Sequence, residues 1–250
     1  MIKHKILRAS LIICLSFHAS LVHGGPPLLT DDPDTPGHQN WEINLAYTTE
    51  KRESNWEHEA PLLDINYGWG ERIQLKLEVP WLLLDEKGSS TKSGLGNSEV
   101  GVKWRFLDED RHGLSLSMYP QFEFNNPTSS EDRGLVDDGS EYVLPFQFSR
   151  TLGPIALYLE LGHAWRQHRP DEWFYGLALG YPLSDAFEFM GEIFGVAERD
   201  FDEEELVFNL GGKWKFHQHG ALLFTSGRSF RESSSGEPAF LSYLGLQFNF

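Results

Sequence analysis

Ile73-Gln74-Leu75-Lys76-Leu77-Glu78-Val79 alternates an apolar side chain with a polar one at every step. A helix would bring its apolar residues back at intervals of three and four. A return at two belongs to a strand with one greasy face and one wet face. Val100-Gly101-Val102-Lys103-Trp104-Arg105-Phe106 repeats the pattern, and so does Trp41-Glu42-Ile43-Asn44-Leu45-Ala46-Tyr47. Leu114, Leu116, Met118, Phe122 and Phe124 enclose Ser115, Ser117, Tyr119, Gln121 and Glu123 in one further run. Less pure runs follow over 59–68, 141–151, 155–165, 172–181, 186–196, 204–216, 220–227 and 239–250. Together they predict about twelve strands, most near the length a tilted strand needs to cross an outer membrane.

The connections are sorted by length. Short turns are expected at Gly68–Arg72, Asp108–Gly113, Thr151–Pro154, Pro182–Asp185 and His217–Gly220. Longer, more charged loops are expected at 51–58, 84–96, 125–140, 166–171, 197–203 and 228–238. An outer-membrane barrel has this asymmetry, with the short set in the periplasm. Closure is obligatory there, because lipid offers nothing to the free N–H and C=O groups of a sheet edge. The expectation is therefore an all-β, transmembrane, antiparallel up-and-down barrel over 40–250. Its apolar series points to lipid and its polar series to a lumen. Lys76, Glu78, Lys103, Arg105, Glu123, Glu160 and Glu192 are the lumen-lining candidates, since mid-strand charges are heavily penalised against lipid. Trp41, Tyr67, Trp104, Trp173 and Tyr181, near strand ends, suit interfacial girdles.

The first residues read as an address. Met1 to Arg8 is basic, and Ala9 to Val22 is largely apolar but interrupted by Ser16, His18 and Ser20. That core is shorter than the roughly 20 residues a membrane helix needs. With Val22-His23-Gly24 before a cut, 1–24 is predicted to be a secretory signal peptide and Gly25 the start of the mature chain. Cys14 is the single cysteine, so an internal disulfide and a cysteine zinc site are excluded. Ile13 is too large to precede a lipoprotein cysteine. A formal net charge of -16 argues against nucleic acid, which needs clustered Lys and Arg. Mean hydropathy of -0.38 is too polar for a helical membrane bundle and suits strands greasy on one face. At the other end Phe240, Leu244, Leu246, Phe248 and Phe250 share a face. Phe248 and the terminal Phe250 are the expected insertion signal for the outer-membrane assembly machinery of a Gram-negative cell.

Between address and barrel lies Gly25-Pro26-Pro27-Leu28-Leu29-Thr30-Asp31-Asp32-Pro33-Asp34-Thr35-Pro36-Gly37. Thr30, Asp31 and Asp32 before Pro33 favour a turn with carboxylates capping backbone N–H groups. Residues 25–39 are either a linker or a plug folded into the lumen against Lys76, Lys103, Arg105 or Lys213. The proline and apolar pair, the Thr-Asp-Asp, the later Thr and Gly, and Trp41-Glu42 opening the first strand resemble the mature amino terminus of a large bacterial family. It is the outer-membrane transporter family named after the meta-pathway of phenol degradation. The resemblance is specific over 25–45 and general, by strand pattern, beyond. It implies a barrel and a role in uptake of small compounds, aromatic ones among them.

Asn97-Ser98-Glu99 is the nearest grouping to a barrel lipase, which needs a serine beside a histidine on the outer surface. No His-x-Ser accompanies it. His217 and His219 share a short turn, without a placed third ligand for a metal. His163 and His168 flank Trp165, and Glu203, Glu204 and Glu205 form a charge run where divalent ions of lipopolysaccharide could bind. Gly94-x-Gly96 reads as a turn, and no phosphate loop or nucleotide fingerprint is present. Neither catalytic residues, a cofactor nor a metal site is assigned. The expected partners are outer-membrane lipid and lipopolysaccharide, the assembly machinery and a small solute. The leading expectation is a channel or transporter; a structural or ligand-binding barrel without transport, and a lipid-acting barrel enzyme, stay open beside it.

Overall fold

The computed structural model describes residues 25–126, 128–199, 204–231 and 236–250. The predicted signal peptide and Glu203 lie outside them. One sheet holds every strand, and it closes on itself. β1 (Trp41–Lys51) pairs antiparallel with β2 (Asn55–Gly68) and with the last strand, β14 (Phe240–Asn249). β2 passes to β3 (Ile73–Glu86), which carries both β4 (Lys92–Leu95) and β5 (Ser98–Leu107) end to end on its other edge. β5 in turn holds β6 (Ser115–Met118) and β7 (Gln121–Phe124), again end to end. Both pair with β8 (Glu141–Leu152). The ring then runs through β9 (Ile155–Arg166), β10 (Glu172–Ser184), β11 (Phe187–Glu198), β12 (Glu204–His217) and β13 (Gly220–Ser229) back to β14. With β4–β5 and β6–β7 each counted as one stave, the barrel has twelve.

Burial is inverted relative to a water-soluble protein. Leu77 (40%), Val102 (45%) and Trp104 (50%) are exposed, while Asn44, Asn66, Lys76, Lys103 and Gln147 are buried. The alternation read from the sequence thus sorts greasy side chains outward and wet ones inward, the arrangement lipid demands. Inside, polar groups satisfy one another. Asn44 Nδ2 donates to Asp64 (2.9 Å), Asn66 Nδ2 donates to the same carboxylate (3.0 Å), and Gln74 Nε2 donates to Asn66 Oδ1 (2.7 Å) and Tyr119 Oη (3.2 Å). Such a connected network is needed because a polar group without partners in a closed interior is costly.

Five local features differ from the expectation. The first loop is only residues 52–54, because β2 begins at Asn55. The 84–96 loop is largely a hairpin, since β3 runs to Glu86 and β4 folds back on Trp81–Leu84. The run over 114–124 breaks at Tyr119-Pro120. Proline has no N–H to give the ladder, so Pro120 interrupts it, and its carbonyl still accepts from Val102 N (3.0 Å). The 108–113 turn contains a single helical turn, α1 (Glu109–His112), ended by Gly113 at φ 76°. A short helical turn, α2 (Thr128–Glu131), also lies in the longest loop. The barrel seam is tied at the very end of the chain: Trp41 N donates to Phe250 O and Phe250 N to Trp41 O, both at 3.0 Å.

Candidate functional site: the lumen and the amino-terminal segment

Residues 25–39 leave β1 at the short-turn end and run into the ring. Gln39 N donates to Gly68 O (2.9 Å), Gly70 N to His38 Nδ1 (3.2 Å) and Thr35 Oγ1 to Glu71 O (2.9 Å). Further in, Arg105 Nη1 pairs with Asp34 at 3.2 Å. Lys103 Nζ reaches Asp31 Oδ2 (2.9 Å) and also donates to Asp32 O (2.6 Å). Gln147 Nε2 donates to the same Asp31 oxygen at 2.8 Å.

A segment without a ladder still has amide donors, and in a closed interior each needs an acceptor. Two strand carboxylates provide them. Asp31 N donates to Glu160 Oε2 (3.0 Å), Leu29 N to Glu192 Oε1 (2.8 Å) and Thr30 N to Glu192 Oε2 (2.7 Å). On the far wall Thr225 Oγ1 donates to Pro27 O at 2.8 Å. Lys103 in β5 and Thr225 in β13 stand on nearly opposite sides of the ring, so the segment crosses the interior. β10 makes room with Gly176, where an added Cβ would stand 2.9 Å from Thr30 Cβ.

Of the seven lumen candidates, Lys76, Glu78, Lys103, Glu160 and Glu192 are buried; Arg105 and Glu123 are partly so. Of the cations named as partners for 25–39, Lys103 and Arg105 meet it. Lys76 is instead held by Glu78 and Glu99, each at 2.9 Å. Lys213 lines a hollow at the short-turn end with Lys215 and His217. Glu123 accepts from Asn97 Nδ2 at 2.8 Å. Thr30 and Asp31 are buried in the crossing. A cavity of about 370 Å³ opens at the short-turn mouth, lined by Asp34, Arg105, Asp108, Arg111 and Tyr158.

The sequence reading missed an apolar inner belt. Val143, Ala164, Phe174, Phe194, Val207 and Leu241 form one buried cluster near the long-loop ends of their strands, with Leu29 of the segment packed against it. Leu82 and Leu84 form a second with Leu135 of the longest loop. The available signal was a strand apolar on both faces, as in Trp173-Phe174-Tyr175 and Ile193-Phe194. Arginine pairs at the same rim were also missed: Arg52 meets Glu205 at 3.1 Å, and Arg169 meets Asp137 at 2.7 Å. They join residues far apart in the chain, which no local pattern reveals.

The groups considered for catalysis are elsewhere. Ser98 is buried, and its Oγ accepts from Asn126 Nδ2 at 2.6 Å. His217 and His219 are 5.8 Å apart between ring centres, with His219 Nδ1 against Asn249 O. Among the described residues no group of three His, Cys, Asp or Glu is arranged to hold a metal ion.

No protein-family model and no curated protein sequence matches the chain. Solved structures do share its fold. The COG4313 outer membrane channel from Pseudomonas putida F1 superposes with a TM-score of 0.71 at 13% identity, covering 88% of this chain and 98% of that one. The NanC porin gives 0.60 at 9% identity over 82% and 98%, and the KdgM porin 0.56 at 12% over 83% and 99%. At these identities the likeness is one of fold: a closed, twelve-stranded antiparallel β-barrel.

Proposed function

We propose that the protein is an outer-membrane channel for small solutes, exported by its leader and held closed by residues 25–39 acting as a plug. The observation that carries this is the run of contacts from Arg105 and Lys103 on one wall to Thr225 on the other. A linker has no need to bury Thr30 and Asp31 or to take its hydrogen bonds from strands across the ring. The fold shared with channels and porins supports the same reading, as does the resemblance of 25–45 to the transporter family.

The apolar belt points to the solute class. A barrel surrounded by lipid does not need a greasy interior for stability, yet Phe174, Phe194 and Val207 face inward beside Leu29. Such a lining favours small aromatic or otherwise apolar solutes over sugars. The plug's Leu29 then occupies part of the path that a solute would take.

The test is conductance of the refolded mature protein in planar bilayers, with and without 25–39. Deletion is expected to turn a low, flickering conductance into a steady and larger one. Equal conductance with and without the segment would remove the plug, and no conductance in either would favour a structural or ligand-binding barrel.

A further inference from the structure

Gly25 folds back on the stretch it precedes. Leu28 N donates to Gly25 O at 3.0 Å, closing a turn. A Cβ added to Gly25 would stand 3.1 Å from Asp31 Cγ and run into the Oδ1 beyond it. The backbone of Gly25 therefore lies against the Asp31 carboxylate with no room for a side chain. Its nitrogen is one bond angle from that Cβ position, hence within about 5 Å of the carboxylate oxygen.

The surroundings are short of positive charge. Asp31, Asp32, Glu160 and Glu192 gather around the crossing, and among the described residues Lys103 is the cation in contact with them. Glu192 is met by neutral donors, the amides of Leu29 and Thr30 and Asn209 Nδ2. Glu160 is met by Asp31 N and Gln147 Nε2, again neutral. Carboxylates removed from water and not offset by cations are strongly disfavoured.

We propose that the mature amino terminus is the missing cation. Cleavage between Gly24 and Gly25 leaves an α-ammonium that pairs with Asp31 inside the lumen, so processing on export is what fastens the plug. The inference rests on the predicted leader and on the reading of 25–39 as a plug. In the cleavage, water adds to the Gly24 carbonyl carbon and the bond to the Gly25 nitrogen breaks. Gly24 leaves with a carboxylate, and the Gly25 nitrogen takes up protons to become the ammonium. Before the cut that nitrogen is a neutral amide with no charge to offer. A free α-amine ordinarily titrates near 7.7–8.0, so the pair forms at neutral pH.

The experiment uses the mature protein isolated from membranes. Mass spectrometry reads its first residue, and a small acylating reagent at neutral pH reads the reactivity of the α-amine. The chain is expected to begin at Gly25. Its amine should react about tenfold more slowly in the folded protein than in urea, as a rise of one unit in its pKa would give. Asp31→Asn should restore the fast reaction, and protein refolded after α-acetylation should conduct more than the free-amine form. A mature chain starting elsewhere overturns the proposal. So does an amine that reacts as in a free peptide, or acetylation that leaves conductance unchanged. If Asp31→Asn does not fold, the acetylated wild type decides alone. Should deletion of 25–39 open the channel while acetylation is silent, this inference fails and the plug stands; a silent deletion removes the plug itself.

Discussion

Asp32 sits where the segment turns into the lumen, beside Asp34 and Asp31, with its own carbonyl oxygen accepting from Lys103. Burial pushes its carboxyl up to about 7, the charges of Asp34 and Asp31 push the same way, and Lys103 opposes them. In the released segment the group returns to the ordinary carboxylate range, near 3.9. The docked form therefore holds a proton that the released form lacks between those two values. By linkage, the contribution of Asp32 to docking is full at or below about pH 4, weakens as pH rises, and is lost above about 7. Open-channel occupancy should increase from pH 5 to pH 8, and Asp32→Asn should flatten the dependence. A rise of equal size in Asp32→Asn, or a fall with pH in the wild type, would show that another group titrates. The sequence supplied the Thr30-Asp31-Asp32 cluster and four alternative cations, Lys76, Lys103, Arg105 and Lys213, of which Lys103 and Arg105 meet the segment. It could not show which cation meets which carboxylate. Lys76 and Lys103 look alike as mid-strand lysines; Glu78 shares a face of β3 with Lys76, and the register of β3 on β5 adds Glu99 to that pair.

At the scale of the strands the period of two was enough, because lipid outside and polar contacts inside enforce opposite chemistries on alternate residues. It failed where that rule relaxes. Pro120 splits a stave that reads as continuous, β4 extends a hairpin where charge and glycine suggest a loop, and the inward Phe174 and Phe194 look like outward residues. Gly176 shows the opposite case, a strand residue whose role is set by what lies across from it. Its missing side chain is the space that Thr30 fills. Gly176→Val should keep β10, since a branched side chain suits a strand, while driving Thr30 off the wall. We expect the variant to keep the heat-resistant mobility of the folded barrel in gels and to conduct like the 25–39 deletion. Wild-type conductance in a folded Gly176→Val protein would count against the crossing as the seal.

At the scale of the whole barrel the question is which ions the lumen admits once the segment is gone. The net charge of -16 does not answer it, because loops and lumen both contribute. The inward face does. Asp64, Glu78, Glu99, Glu160 and Glu192 are buried there against Lys76 and Lys103. Removing 25–39 takes away Asp31, the partner of Lys103, but leaves these five carboxylates in excess over the two ammonium groups. Water entering the emptied lumen lowers the cost of ionising them, and rings of carboxylate make a pore prefer cations. The deletion protein in a potassium chloride gradient should therefore show a reversal potential of cation sign. Glu160→Gln with Glu192→Gln should move it toward zero, and raising the salt should shrink the effect as the Debye length falls from about 10 Å at 0.1 M to about 3 Å at 1 M. An anion-selective deletion protein would mean that the mouth groups Arg105, Lys213 and Lys215 set the field, and that the buried carboxylates brace the wall without facing the path.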